Sequence, residues 1–403
     1  MKINKYFLAY CCATLPFLNQ NAFLGYFRLT SVVIVLRILV LFVYIFPMYW
    51  SLKNKLNQLD TLFFTYELFL MVNTLLQSGF TIDAFDKTGN NIAIFMLYEA
   101  GLNTHYKQFI KSQFCTMSLI VYLNLITVIM FPTGLTPCNR VYFLGYYNNF
   151  SKYFIMAICM VLLYQLIYKR YFWSSLTVVA MYITAWLVHS GGLMAFLAIT
   201  GVLLFRYKKS KYLGGYFTWW GFAVMFFVGI IIFNASSLTD YVRIVSQYAF
   251  NKGNSFMGRF HLWHLVIDEY IYRKPIFGYG IPSVANFNFG GGFSWAIHTH
   301  NLVLETLYQG GVVGLTLFTM LVIMCGKHLN KLKPRCDLYK IIVIGFAGWV
   351  IVTLVEPFTH PFMISLFALA FRASKLNRRI FEDIVSPKIS VSRVSSLNPE
   401  FIS

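Results

Sequence analysis

Apolar residues run through this chain in long stretches separated by short polar connections, from Tyr6 almost to Arg379. Crossing a hydrocarbon core by helix takes roughly 20 consecutive apolar residues, so runs of this kind predict membrane-spanning helices. They fall at 6–23, 29–50, 61–80, 90–103, 114–131, 150–168, 171–188, 191–205, 216–233, 300–325, 341–356 and 361–371. The pattern predicts an all-α polytopic membrane protein with about 12 transmembrane helices, several shorter than a simple crossing needs. One connection breaks the rhythm. Between the ninth and tenth runs, Asn234 to His300 forms a hydrophilic excursion of roughly 65 residues, far beyond ordinary loop length. Within it Phe260, Trp263, Val266, Ile267 and Tyr270 recur at helical spacing. The segment 257–272 is therefore expected to be an amphipathic helix whose apolar face lies on the membrane or on the spans. Lys274-Pro275 ends it, Gly278 and Gly280 suit a tight turn, and Gly290-Gly291-Gly292 precedes re-entry at His300. Beyond Arg379 the serines and Pro387 read as a mobile end. The expected organisation is a membrane domain over 1–379 and a tail over 380–403.

Composition agrees with the pattern: 58% of residues are hydrophobic and 12% charged, with a mean hydropathy of +0.63. That excludes an ordinary soluble domain. The net charge of +19 takes its meaning from where the cations lie. Lys2 and Lys5 precede the first run, and Lys53, Lys55, Lys107, Lys111, Lys169, Arg170, Arg206, Lys208, Lys209, Lys211, the cluster 327–340 and the cluster 372–379 follow alternate runs after it. They share one side of the membrane if both termini are cytoplasmic, which is the positive-inside pattern and not a nucleic-acid footprint. Arg28, Lys87, Arg140 and Lys152 are read as a sparse minority in the outer connections. The long loop is then extracytoplasmic. Tyr6–Leu18 is apolar with no small-residue cleavage site after it, and is read as the first span. The seven cysteines show no metal or redox spacing and no disulfide framework. No internal repeat is visible, which argues against a transporter.

The loop also gathers the chemistry. Four of the eight histidines lie in it: His261, His264, His298 and His300. Arg259 stands at the start of its helix. Arginine matches phosphate through a planar, permanently charged fork, and histidine titrates near neutrality. Brought together at an outer membrane surface, Arg259 would hold a leaving diphosphate and His300 would take the proton of an attacking hydroxyl. With no ATP outside the cytoplasm, activation must arrive in the substrate, and a lipid-linked sugar diphosphate meets that need.

These residues carry a family resemblance. Gly258-Arg259 with Trp263, then Pro275, Gly278 and Gly280, then His300-Asn301, Leu304-Glu305 and Gly310 to Gly314 resemble the O-antigen ligase and polymerase superfamily. The resemblance implies a GT-C-type fold with a large periplasmic loop between helices 9 and 10, in the bacterial inner membrane. It implies an inverting glycosyltransferase that takes an undecaprenyl-diphosphate-linked glycan without metal or other cofactor, with a chain-length regulator as a candidate partner. By position, Arg259 matches the family's loop arginine and His300 the histidine of its HN motif, the general base. The chain departs from the family at His189-Ser190-Gly191-Gly192, where relatives often carry a Ser/Thr-Arg pair and this chain has glycine. That loss leans the reading toward a polymerase elongating O-antigen or capsular glycan, over a ligase delivering glycan to lipid A-core. A lipid-linked oligosaccharide flippase is the alternative of a different class.

Each candidate has a blander reading. Arg259 could pair with a lipid phosphate or Asp268, and His300 could cap a span. His298 could bind substrate or line the entrance. Glu305 could orient His300, bind sugar hydroxyls or pair with a buried neighbour. Trp263 belongs to the motif as a substrate-side aromatic. Arg243 and Arg273 are candidate second phosphate contacts or surface charge. His261, His264, His298 and His300 also make a possible zinc set, without a cysteine ligand nearby. Arg37 is expected to pair with Glu67 or Glu99 inside the bundle or to line a substrate path. Glu356 and His360 flank an outer turn late in the chain and could border the site, although their spacing does not place them in space.

Overall fold

In the computed structural model the described residues are 4–18, 21–52, 56–135, 140–206, 215–234, 253–282, 289, 298–332, 336–354, 356 and 361–394. Arg243, His360 and Gly290-Gly291-Gly292 lie outside them. The helices are α1 (Lys5–Thr14), α2 (Asn21–Tyr26), α3 (Thr30–Ser51), α4 (Gln58–Ser78), α5 (Ile82–Asn103), α6 (Tyr106–Met130) and α7 (Phe150–Tyr168). They continue with α8 (Phe172–Val188), α9 (Gly191–Arg206), α10 (Tyr216–Asn234), α11 (Gly253–Leu265), α12 (Leu302–Leu329), α13 (Asp337–Thr353) and α14 (Pro361–Val394). A short antiparallel hairpin, β1 (Val141–Tyr142) and β2 (Gly145–Tyr146), sits in the connection from α6 to α7.

This is a helical membrane protein. Among the described residues, five stretches of helix are long and apolar enough to cross a bilayer: Thr30–Ser51, Gln58–Ser78, Tyr106–Met130, Tyr147–Tyr168 and Leu302–Leu329. Shorter apolar helices cover Phe172–Val188, Leu193–Leu204 and Tyr216–Ile231. The span at Tyr147–Tyr168 has 72% of its apolar window buried and Thr30–Ser51 only 11%, so α7 lies inside the bundle and α3 on its rim. α5 packs along α14, and α7 along α13, around the main core.

Four sequence expectations need correction. The first apolar run is not one helix: Pro16, which has no amide hydrogen to donate, sits in a 3₁₀ turn over Leu15–Phe17 that ends α1. Arg37 pairs with neither Glu67 nor Glu99. Its Nη1 donates to both Asp86 oxygens at 2.7 and 2.8 Å and its Nε to Pro16 O at 2.8 Å. Glu67 accepts from Asn91 at 2.9 Å, and Glu99 from Arg372 Nε at 2.9 Å. Each buried charge thus finds a partner across a helix pair, as a low-dielectric interior requires. Lys87 and Lys152 are not in connections. Both are half-buried in helices, in the second turn of α5 and the first turn of α7. Finally, the boundary at 380 falls inside α14. Arg379 donates to the carbonyls of Leu102 and Asn103 at 3.1 and 2.7 Å, capping α5, and Asp383 meets Lys107 at 2.9 Å. Arg379 meets the exposed carbonyls of a helix end, and Asp383, just past the expected boundary, is held by an ion pair, so the helix runs on through position 380.

The amphipathic helix of the long loop is present. α11 continues as a π-helical turn over Val266–Ile271. Its apolar face lies on the bundle: Phe260, Trp263 and Ile267 cluster with Ile230 of α10 and Leu304 of α12. On another side Leu262 and Val266 pack with Phe289 and Tyr308.

Downstream, the glycine-bearing segment 275–281 inserts its backbone into a break in α12. Gly311 interrupts that helix at φ 58° and ψ −159°. Around the break Val312 N donates to Pro275 O at 2.8 Å, Tyr279 N to Tyr308 O at 2.7 Å and Gly280 N to Gln309 O at 2.9 Å. Asn73 of α4 closes the joint, its Nδ2 donating to Phe277 O and Gln309 O at 2.6 and 2.9 Å. The segment supplies partners for backbone groups that the broken helix frees, which a membrane-embedded helix needs more than a soluble one.

Candidate active site

The site forms where α11, the start of α12 and the connection from α13 to α14 converge. Asn301 sets the geometry. It is the N-cap of α12, its Oδ1 accepting from Val303 N and Leu304 N at 3.0 and 3.1 Å. Its Nδ2 donates to Leu354 O at 3.1 Å, tying the start of α12 to the end of α13. The asparagine of the His-Asn pair is therefore structural, and it draws the residues after α13 toward His300.

Thr299 is fixed from three directions. Its amide donates to Glu305 Oε2 at 2.9 Å, its carbonyl accepts from Trp263 Nε1 at 2.8 Å, and its hydroxyl donates to Asn301 O at 2.9 Å. Glu305 is held in turn by Gln309 Nε2 at 2.5 Å, and Lys87 Nζ donates to Gln309 Oε1 at 3.2 Å. With Thr299 pinned, His300 adopts a left-handed backbone, φ 54°, which non-glycine residues seldom take. That turn aims its ring away from the N-cap toward the α13–α14 connection.

There the ring meets Glu356. His300 Nδ1 lies 3.0 Å from Glu356 Oε2, while Arg259 Nη2 donates to the other oxygen, Oε1, at 2.7 Å. One carboxylate thus joins Arg259 and His300. Glu356 is 7% exposed. Burial works to raise its carboxyl, but the hydrogen bond and charge of His300, with His298 and Arg259 behind, hold it below its ordinary value. It is ionised at neutral pH. His298 lies beside this trio, its ring centroid 4.1 Å from that of His300. Burial first, then the neighbouring His300, pushes its pKa down to about 3, so it is neutral at physiological pH.

Lys152 adds a further cation. It stands within electrostatic range of both Glu356 and His298. Its neighbour Tyr153 packs on Phe362 at the start of α14, with ring centroids 6.4 Å apart, which brings the first turn of α7 beside the α13–α14 connection.

The sequence candidates therefore divide. Arg259, His300 and His298 come together. Trp263, 1% exposed, and Glu305, 5% exposed, have their polar atoms committed to Thr299 and Gln309, so they build the site from behind. Arg273 lies on an exposed face in an ion pair with Glu269. Arg259 binds Glu356 in place of the alternative Asp268. Of the four loop histidines considered as a zinc set, His298 and His300 group with Glu356, and His261 and His264 stand outside that group. Sequence reading did not assign Glu356 or Lys152. The available signal was a lone carboxylate ending an apolar run on the loop's side, and a lysine interrupting the first turn of another run.

Known proteins resemble the segment that carries the loop. Residues 176–319 match the family described as O-antigen ligase. A putative polysaccharide ligase of Rickettsia felis is 29% identical over 124 residues, covering 28% of this chain and 30% of that protein. A putative polysaccharide ligase of Rickettsia conorii is 33% identical over 87 residues, covering 19% of this chain and 21% of its own length. The aligned segments thus span under a third of either relative. Arg259 and His300 fall inside the 176–319 match; Lys152 and Glu356 fall outside it.

Proposed function

Because the chain belongs to the O-antigen ligase/polymerase superfamily on its match over residues 176–319, we propose that it transfers glycan from a polyprenyl-diphosphate carrier to a sugar hydroxyl. The observation that carries this reading is the single carboxylate of Glu356 holding Arg259 on one oxygen and His300 on the other. Glu356 accepts the Nδ1 proton of His300, which leaves Nε2 with a lone pair facing the acceptor. The acceptor hydroxyl attacks the anomeric carbon and gives its proton to that nitrogen. The bond from the anomeric carbon to the diphosphate oxygen breaks, and the carrier leaves with the bonding pair. Arg259 turns from Glu356 to the departing diphosphate, where a planar cation stabilises the charge that develops. One displacement of this kind inverts the anomeric centre, and these groups perform it with no metal in the step.

Lys152 is the cation we assign in place of the arginine missing at Gly191. Arg259→Ala is expected to lower turnover by about 10²-fold or more, the scale of losing a donor aimed at developing charge. Lys152→Met is expected instead to weaken donor use about 10-fold, near 1.4 kcal/mol. Transfer kinetics with purified protein and a lipid-linked donor separate the two, and unchanged kinetics in both variants would remove the diphosphate site.

We read the protein as an inner-membrane polymerase with about 12 crossings, both termini cytoplasmic and the long loop periplasmic. The acceptor is then another lipid-linked repeat unit. Glycine at 191, where ligases often carry arginine, favours this choice. A ligase acting on lipid A-core is the second reading, favoured by the names of the matched family and relatives. A deletion strain is expected to carry single-repeat glycan on lipid A-core. Bare core with accumulating lipid-linked polymer would establish the ligase instead. Protein in liposomes that moves lipid-linked glycan without elongating it would overturn both in favour of a flippase.

A further inference from the structure

His298 has no part in the proposed transfer, yet it is built into the site. Its Nδ1 is buried and makes no hydrogen bond among the described residues. Leaving such an atom unpaired is costly in a buried site, so it calls for a reason. Its surroundings supply one. A nitrogen of His298, a nitrogen of His300 and an oxygen of Glu356 all lie within 4.8 Å of one another. The two imidazoles are separated by one residue, Thr299, whose amide, carbonyl and hydroxyl are all bonded, so their spacing is held by the backbone.

Two imidazoles and one carboxylate are the donor set of a zinc-type ion that keeps a further position open. Zinc binds nitrogen and oxygen at roughly 2.0–2.2 Å. Ligand atoms of one such ion lie roughly 3–3.5 Å apart, so the three have to close up from within 4.8 Å of one another. Arg259 supplies the competing interaction: it occupies one Glu356 oxygen at 2.7 Å, and a dication on that carboxylate would repel it.

We infer that His298, His300 and Glu356 form an inhibitory site for a divalent transition-metal ion of the zinc class. Bound at Nδ1, the nitrogen that faces Glu356, the ion leaves the ring proton on Nε2, so His300 can no longer accept one there, and it releases Arg259 from its partner. The bound state is therefore silent in transfer, and the working state is metal-free. The inhibitory part rests on the reading of His300 as the base; the binding part does not.

The experiment uses the full-length protein in detergent or nanodiscs after treatment with a chelator. Zinc chloride is titrated calorimetrically, and cobalt(II) is followed by the visible absorption that three or four nitrogen and oxygen ligands induce. The expected result is one ion per chain, with affinity lowered at least about 10-fold in His298→Ala and in Glu356→Gln, as loss of a ligand or its charge implies. Zinc is expected to inhibit transfer by the unaltered protein reversibly, with chelator restoring it. The fraction of its own transfer that His298→Ala loses to the same zinc concentration should be smaller. Absence of stoichiometric binding, or binding indifferent to both substitutions, overturns the site. Chelator-stripped protein that is inert until zinc is added overturns its inhibitory character. Normal transfer by His300→Ala, with stoichiometric zinc binding by the unaltered protein, would sink the base assignment and leave the metal site standing.

Discussion

Alanine at position 300 is expected to lower glycan transfer by roughly 10²- to 10⁴-fold, the range a positioned general base supplies, while the protein still inserts and folds. The structural side of His300 is small. Its side chain is 14% exposed, and its ring meets polar neighbours, the Glu356 carboxylate and the His298 imidazole. The cost of keeping a non-glycine residue in the left-handed region at φ 54° is already borne by histidine and is about the same for alanine. What alanine removes is the ring on Glu356. His300→Gln keeps a polar group near the carboxylate but has no lone pair of suitable basicity, so it should be nearly as inactive. Glu356→Ala is expected to fall by a similar factor by another route: it frees Arg259 from its partner and His300 from its orienting acceptor. If the two residues act as one unit, adding Glu356→Ala to His300→Ala should cost little more than either alone. Transfer assays on the purified variants read the activity, and thermal unfolding in detergent reads the fold. Long glycan ladders from the His300→Ala protein would end the assignment.

How far the sequence reached follows from which signals are local. Arg259 and His300 could be picked out because they sit in one excursion, with the amphipathic spacing of Phe260, Trp263 and Ile267 between them and the bundle. The helices were legible because apolar periodicity is local as well. The partner of both site residues was not. Glu356 lies 56 residues beyond His300, and long-range bonds such as Asn301 Nδ2 to Leu354 O bring the two segments together. Nothing in the spacing of residues announces a bond of that kind. The pairing of Arg37 failed for the same reason: Asp86, Glu67 and Glu99 are equivalent carboxylates in a string, and helix packing chose the first. Trp263 and Glu305 show the converse error. An aromatic and a carboxylate beside a catalytic motif look like substrate contacts, yet their polar atoms face inward and hold the Thr299 backbone. Sequence could gather the candidate residues in one loop, but which of them pack inward and which share the Glu356 carboxylate came only from the fold.

The largest expected loss of stability comes from a position with no side chain. Gly311→Ala should destabilise the protein by on the order of 3 kcal/mol or more, because strain and a backbone clash act together. At φ 58° and ψ −159° the residue occupies a region open essentially to glycine. A Cβ there would also stand 2.2 Å from Ile276 O and 2.6 Å from Phe277 N, both backbone atoms with no rotamer to escape by. The segment 275–281 would have to withdraw. Val312 N and Val313 N would then lose their acceptors at Pro275 and Ile276, now 2.8 and 3.2 Å away, and Tyr308 O and Gln309 O would lose their donors. In a membrane protein such groups have no water to turn to, so the effect exceeds the cost of the strain alone. Gly314 is the control. Its φ is ordinary and an added Cβ would meet Phe69 at 3.4 Å, a normal contact, so Gly314→Ala should be tolerated or gain up to about 1 kcal/mol of helix propensity. Thermal unfolding and monodispersity after extraction should separate the pair sharply. Equal stability would mean that the loop is not anchored at the break in α12. Gly311→Ala should also lose transfer, but together with its fold, whereas His300→Ala loses transfer alone; that contrast distinguishes the residues that build the site from those that react in it.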